Sequence, residues 1–66
     1  MQNTRESFGE QLFLIRNKLG LSQDEVAEKA GITQNNLSRI ERGLYSPGQD
    51  ILLRIGDALG LQLKYD

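Results

Sequence analysis

The chain has 66 residues with no cysteine and no histidine, and its eight Lys or Arg stand against nine Asp or Glu for a formal net charge of −1. Disulfides, thiolate zinc sites and imidazole chemistry are thereby excluded, and a chain this short holds one domain near the lower size limit for folding without staples. At 38% hydrophobic it can fill one small core, and its short apolar runs fall far below the ~20 residues that a membrane span needs.

Start and stop signals predict four helices in chain order. Helix one, about 7–19, opens on Ser7-x-x-Glu10, which has the form of a capping box, with Thr4 as an earlier alternative start. Phe8, Leu12, Ile15 and Leu19 fall on one stripe of it, and Gly20 stands where it should stop. Helix two, 22–30, opens on a second box, Ser22-x-x-Glu25, and stops at Gly31. Thr33 caps helix three, 33–42, without a box, and Gly43 ends it. Ser46-Pro47-Gly48-Gln49 matches a third box, with proline at the first helical position, and opens helix four, 47–59. Leu52, Ile55, Gly56 and Leu59 form its stripe before Gly60. A glycine inside a helix costs ~1 kcal/mol against alanine, so Gly56 marks either close packing or simple tolerance.

Some residues are left over. Phe13 and Leu14 on helix one, with Ile51 and Leu53 on helix four, lie off the core stripes and either broaden the core face or form a partner surface. After Gly60 the pattern changes to Leu61-Gln62-Leu63-Lys64-Tyr65, an alternation with strand character over 61–65. A lone strand is unstable, so this segment either pairs with its copy in a second subunit or packs Leu61 and Leu63 on the helices. Leu53, Leu61, Leu63 and Tyr65 are the candidate dimer interface on the first reading.

Residues 22–43 read as two short amphipathic helices joined by a glycine turn. Small Ala27 lets the helices approach, and Val26, Ile32, Leu37 and Ile40 make their shared seam. Gln34, Asn35, Ser38 and Arg39 are left pointing outward, and these side-chain types pair with base edges in a major groove. The slightly acidic balance counts against a nucleic-acid partner, but the distribution softens that objection. Between Thr33 and Gly48 the only charges are Arg39, Glu41 and Arg42, while Asp24, Glu25 and Glu28 crowd the start of helix two, where they favour its dipole. Catalysis is not expected, because neither His nor Cys is present and no glycine loop is built to cradle phosphate. No signal peptide is evident either, which makes the cytoplasm the expected location.

Leu12-x-x-x-Arg16-x-x-Leu19-Gly20-Leu21-Ser22-Gln23, Val26-Ala27-x-x-Ala30-Gly31-Ile32, Leu37-Ser38-x-Ile40-Glu41-x-Gly43, Ser46-Pro47 and Leu52-x-x-Ile55-x-x-Ala58-Leu59-Gly60 occur in that order. Over residues 8–60 the chain thereby resembles the lambda-repressor-like, or Cro/xenobiotic-response-element type, helix-turn-helix family of transcription regulators. The resemblance implies an all-α four-helix domain without a cofactor, whose helix 33–42 lies in the major groove. It implies base contacts from Gln34, Asn35, Ser38 and Arg39, and phosphate contacts from Gln23, Arg42, Tyr45, Ser46 and Arg16. Gln23 would also brace the recognition helix. Arg16 and Glu41 match a pair that forms an ion bridge in some members, and this favours a scaffold role for Arg16. A homodimer repressing from a pseudo-palindromic DNA operator is expected, with half-sites ~34 Å apart and a shallow salt dependence. The uncharged Leu44-Tyr45-Ser46 loop departs from the basic residues common there. A docking module or antitoxin-type regulator that binds a toxin or other protein is the alternative.

Overall fold

Local caps and left-handed glycines cut the chain into four rods, α1 (Thr4–Lys18), α2 (Gln23–Ala30), α3 (Gln34–Glu41) and α4 (Gln49–Ala58). The structure is a computed structural model and describes residues 4–60, with side chains from Phe8 onward. No strand occurs among the described residues. The expected strand 61–65 and the interface residues Leu61, Leu63 and Tyr65 lie outside them.

Two of the expected starts hold. Ser22 Oγ accepts from the Glu25 amide at 3.0 Å while Glu25 Oε1 accepts from the Ser22 amide at 3.0 Å, a complete capping box. Thr33 Oγ1 accepts from the Asn36 amide at 3.0 Å and caps α3 alone. The other two boxes do not form. With no glycine or proline ahead of Ser7 to stop propagation, α1 runs back to Thr4 and takes Ser7 into its interior. At α4 the N-cap is Gly48, extended at φ −71° and ψ 172°, with no side-chain hydrogen bond. Ser46 and Pro47 therefore remain in the loop, and the first helical bond runs from the Leu52 amide to the Gly48 carbonyl at 3.0 Å. The expected stops hold throughout, since Gly20, Gly31, Gly43 and Gly60 all have positive φ, between 71° and 76°.

The Glu25 carboxyl is held below its ordinary pKa by the Ser22 backbone amide, then by the Ser22 hydroxyl. A lowered folded-state value stabilises the fold above the unfolded value, about 4.3, and that contribution fades as pH falls through the folded value. Thermal unfolding from pH 7 to pH 3 should show wild type losing more stability than Glu25→Gln, whose amide keeps the box without titrating. Parallel curves for the two proteins exclude this role.

The core is Leu12, Val26, Ala27, Ala30, Leu37, Ile40, Ile55, Ala58 and Leu59, with Phe8, Ile15, Leu21, Ile32 and Ile51 packed on it. Ile51 thus belongs to the core face rather than to a spare surface, and Leu53 is half-buried. Leu19 departs from its expected stripe and is 50% exposed, because α1 ends at Lys18 and the chain turns away. Gly56 is buried and lines a small apolar cavity with Phe8, Leu12, Ile15 and Leu52, so it faces α1. A close helix approach occurs at Gly9. A Cβ built there would overlap the Ile40 carbonyl oxygen and sit 2.8 Å from that of Glu41, so α1 rests directly on the last turn of α3.

Candidate nucleic-acid interface

The turn between α2 and α3 is set by backbone chemistry. Gly31 adopts φ 71°, and the next amide, of Ile32, donates to the Ala27 carbonyl at 3.0 Å. This six-to-one closure satisfies the last carbonyls of α2 and reverses the chain. α3 then lies with Leu37 and Ile40 in the core, at 0% and 1% exposure. Its opposite side carries Gln34, Asn35, Arg39 and Arg42, all exposed, and Ser38, half-buried. Spacings of three and four residues put these side chains on neighbouring turns of one face. The structure thus brings together the four residues that the sequence assigned to base edges.

A continuous polar network ties that face to the scaffold. Arg16 grips Glu41 with two bonds, Nε to Oε2 at 2.6 Å and Nη2 to Oε1 at 3.0 Å, and its Nη1 donates to the Leu21 carbonyl at 2.8 Å. The side chains of Arg16 and Glu41 are only 8% and 3% exposed. Gln23 Nε2 donates to Glu41 Oε1 at 3.0 Å, and Gln34 Nε2 donates to Gln23 Oε1 at 2.6 Å. The chain of contacts therefore runs from α1, through the end of α3 and the start of α2, to the first residue of α3. The Arg16 pKa is raised, chiefly by its hydrogen bond to Glu41, which outweighs the lowering effect of burial. No buried side-chain polar atom among the described residues lacks a partner.

Arg16 accordingly occupies the scaffold position. All of its donor-bearing nitrogens are engaged inside the protein, and the exposed Phe13 ring lies 5.6 Å from its Cζ. The Phe13 ring thereby faces the guanidinium within cation–π reach, which gives that off-stripe aromatic a local role. Gln23 is half-buried and spends its carbonyl on Gln34 and one N–H on Glu41, leaving its second N–H uncommitted. Arg42, Tyr45 and Ser46 are exposed beyond α3. Arg39 Cζ sits 5.9 Å from the centre of the Tyr45 ring, within cation–π reach. The Gly9 contact, the Phe13–Arg16 pair and the Arg39–Tyr45 pair were not foreseen. Only the last left a trace in the sequence, a helix-ending Gly43 two residues before an aromatic.

Comparison with known proteins agrees with this geometry. A family profile described as helix-turn-helix matches residues 12–65. An uncharacterized HTH-type transcriptional regulator of Methanothermobacter thermautotrophicus is 44% identical over 45 residues, 68% of this chain and 65% of that protein. The HTH-type transcriptional regulator ImmR of Bacillus subtilis is 39% identical over 59 residues, 89% of this chain and 46% of that protein. The chain thus spans between about half and two thirds of the length of these relatives. Among solved structures, the restriction-modification controller protein C.AhdI from Aeromonas hydrophila superposes with a TM-score of 0.84 at 28% identity, over 86% of each chain.

Proposed function

The chain belongs to the lambda-repressor-like helix-turn-helix family of transcriptional regulators, and from that premise we propose that it binds a specific double-stranded DNA operator as a homodimer and represses by occupying it. The observation that carries this reading is the two-sided α3. Leu37 and Ile40 anchor one side in the core, and the other presents Gln34, Asn35 and Arg39 to solvent. α3 enters the major groove, where Asn35 or Gln34 pairs with adenine and Arg39 with guanine. Ser38 approaches the same bases from its half-buried place. Gln23, Arg42, Tyr45 and Ser46 hold the phosphate backbone and set the register.

The network gives Gln34 a defined starting position. Its Nε2 is fixed on Gln23, while its Oε1 and second N–H stay available to a base. Side-chain entropy that would otherwise be lost on binding is thus already spent in the free protein. One subunit offers few cations to phosphate, so two copies are required for affinity, and a two-fold pair reads half-sites about 34 Å apart. Repression needs only occlusion of the DNA, which binding alone supplies. The protein stays in the cytoplasm with its DNA.

Selection from a pool of random duplexes at low salt tests this reading, and it should return a pseudo-palindrome. Arg39→Ala should then relax preference at one base pair per half-site by ~1–3 kcal/mol. Gln23→Ala should weaken binding to every sequence and also blur the base pair read by Gln34. A pool that yields no enriched element would instead favour docking to a protein partner.

A further inference from the structure

The exposed pair made by Arg39 in the last turn of α3 and Tyr45 in the loop after it suggests a division of labour within the reading just given. From the 5.9 Å separation of the Arg39 guanidinium and the Tyr45 ring, we propose that Tyr45 is a positioning residue for Arg39, its ring aiming the guanidinium at one base pair. The proposal rests on Arg39 reading a base and adds a determinant of specificity outside the recognition helix.

The backbone explains why these two side chains meet. α3 stops because Gly43 turns left-handed at φ 76°, and the Leu44 amide folds back to donate to the Arg39 carbonyl at 2.9 Å. That closure pins the residue preceding Tyr45 to Arg39 itself. The ring is then delivered beside the Arg39 side chain instead of trailing into solvent. No acidic partner of Arg39 occurs among the described ion pairs, so the ring face is the group that restricts its rotamers. A long side chain free in solvent samples many rotamers and loses them on binding, whereas one lying over an aromatic face loses fewer. A neutral ring also leaves the guanidinium charge and its donors available for guanine. A carboxylate in the same place would compete with the base for them. The Tyr45 hydroxyl stands at the ring's far end, where it can meet a phosphate, so ring and hydroxyl serve separate purposes.

Tyr45→Phe, Tyr45→Leu and Arg39→Ala in the full chain separate the outcomes, measured by binding to the selected duplex and to its single-base variants. Tyr45→Leu should reduce discrimination at the base pair read by Arg39 about two- to fivefold, with the other base pairs unaffected. Tyr45→Phe should keep that discrimination even where loss of the hydroxyl weakens binding to all duplexes alike. Added to Arg39→Ala, Tyr45→Leu should change discrimination no further. In the free protein, the Arg39 Hε resonance should show a ring-current shift that survives in Tyr45→Phe and vanishes in Tyr45→Leu. The proposal is overturned if Tyr45→Leu lowers affinity evenly across the duplex variants, or if Tyr45→Phe is as damaging to discrimination as Tyr45→Leu. An Arg39→Ala variant with unchanged discrimination overturns it by another route, because Arg39 then reads no base even where the wild-type protein shows the ring-current shift.

Discussion

Glu41→Ala is expected to lower the free energy of unfolding by ~3–5 kcal/mol, because it leaves the Arg16 guanidinium buried without its counter-charge. Total stability for a domain of this size is on the order of 3–10 kcal/mol, so the variant should be largely unfolded in mild urea. The expectation follows from geometry. Arg16 and Glu41 are 8% and 3% exposed, Phe13 lies over the guanidinium, and two of the three Arg16 hydrogen bonds end on this one carboxylate. The intact pair is not itself a large source of stability, since desolvation offsets most of the attraction. Arg16→Met combined with Glu41→Leu removes both charges and should therefore unfold close to wild type. That double variant separates scaffold from function. Gln23 would lose its anchor on Glu41, and with it the support that Gln23 gives to Gln34. DNA binding should then fall although the fold persists. Urea unfolding followed by circular dichroism reads the first effect, and duplex titration reads the second. A Glu41→Ala variant that loses less than about 1 kcal/mol, the worth of an exposed ion pair, would show that water reaches the pair.

The parts of this fold that were legible in the sequence are those governed by short-range chemistry. Ser22 and Glu25 form their box, Thr33 caps alone, and Gly20, Gly31, Gly43 and Gly60 turn left-handed where the apolar pattern stops. Errors arose where a local signal was outweighed. Ser7 has the spacing of a cap, yet nothing before it breaks a helix, so α1 takes the alternative start at Thr4 instead. Ser46 and Pro47 look like a helix start, yet the chain needs them to cross from the end of α3 before α4 begins at Gln49. The outward residues of α3 were legible because Leu37 and Ile40 fix the helix's rotation, which leaves Gln34, Asn35 and Arg39 one direction to face. What α3 rests on was legible only through the resemblance, which paired Arg16 with Glu41 and made Gln23 a brace, and both contacts form. That Phe13 lies over Arg16, and that Glu41 serves Arg16 and Gln23 together, depends on segments far apart in the chain meeting at an angle that no spacing encodes. Gly9 is a further case, an ordinary glycine in sequence that in the structure lets α1 lie against the backbone of α3.

Gly9→Ala turns that contact into a prediction whose sign is informative. Helix propensity alone favours the substitution by ~1 kcal/mol, since alanine replaces a glycine in the interior of α1. The added Cβ, however, would overlap the Ile40 carbonyl oxygen and lie 2.8 Å from the Glu41 carbonyl oxygen and 3.0 Å from its carbon. These are backbone atoms, and they cannot swing aside as the tip of a side chain can. α1 must move instead, and overpacking of this kind costs ~1–3 kcal/mol, occasionally more. The net expectation is destabilisation, read as a lower urea midpoint. The displacement should also reach the recognition face. Arg16 lies seven residues along the same rigid helix, roughly 10 Å away, and its 2.6 Å bond to Glu41 leaves little room for a shift of α1 relative to α3. Gly9→Ala should therefore weaken DNA binding more than its stability loss alone implies when measured well below the unfolding midpoint. A variant more stable than wild type by the full propensity gain would mean that α1 and α3 stand further apart than Gly9 requires, and the coupling between α1 and the base-reading face would fail with it.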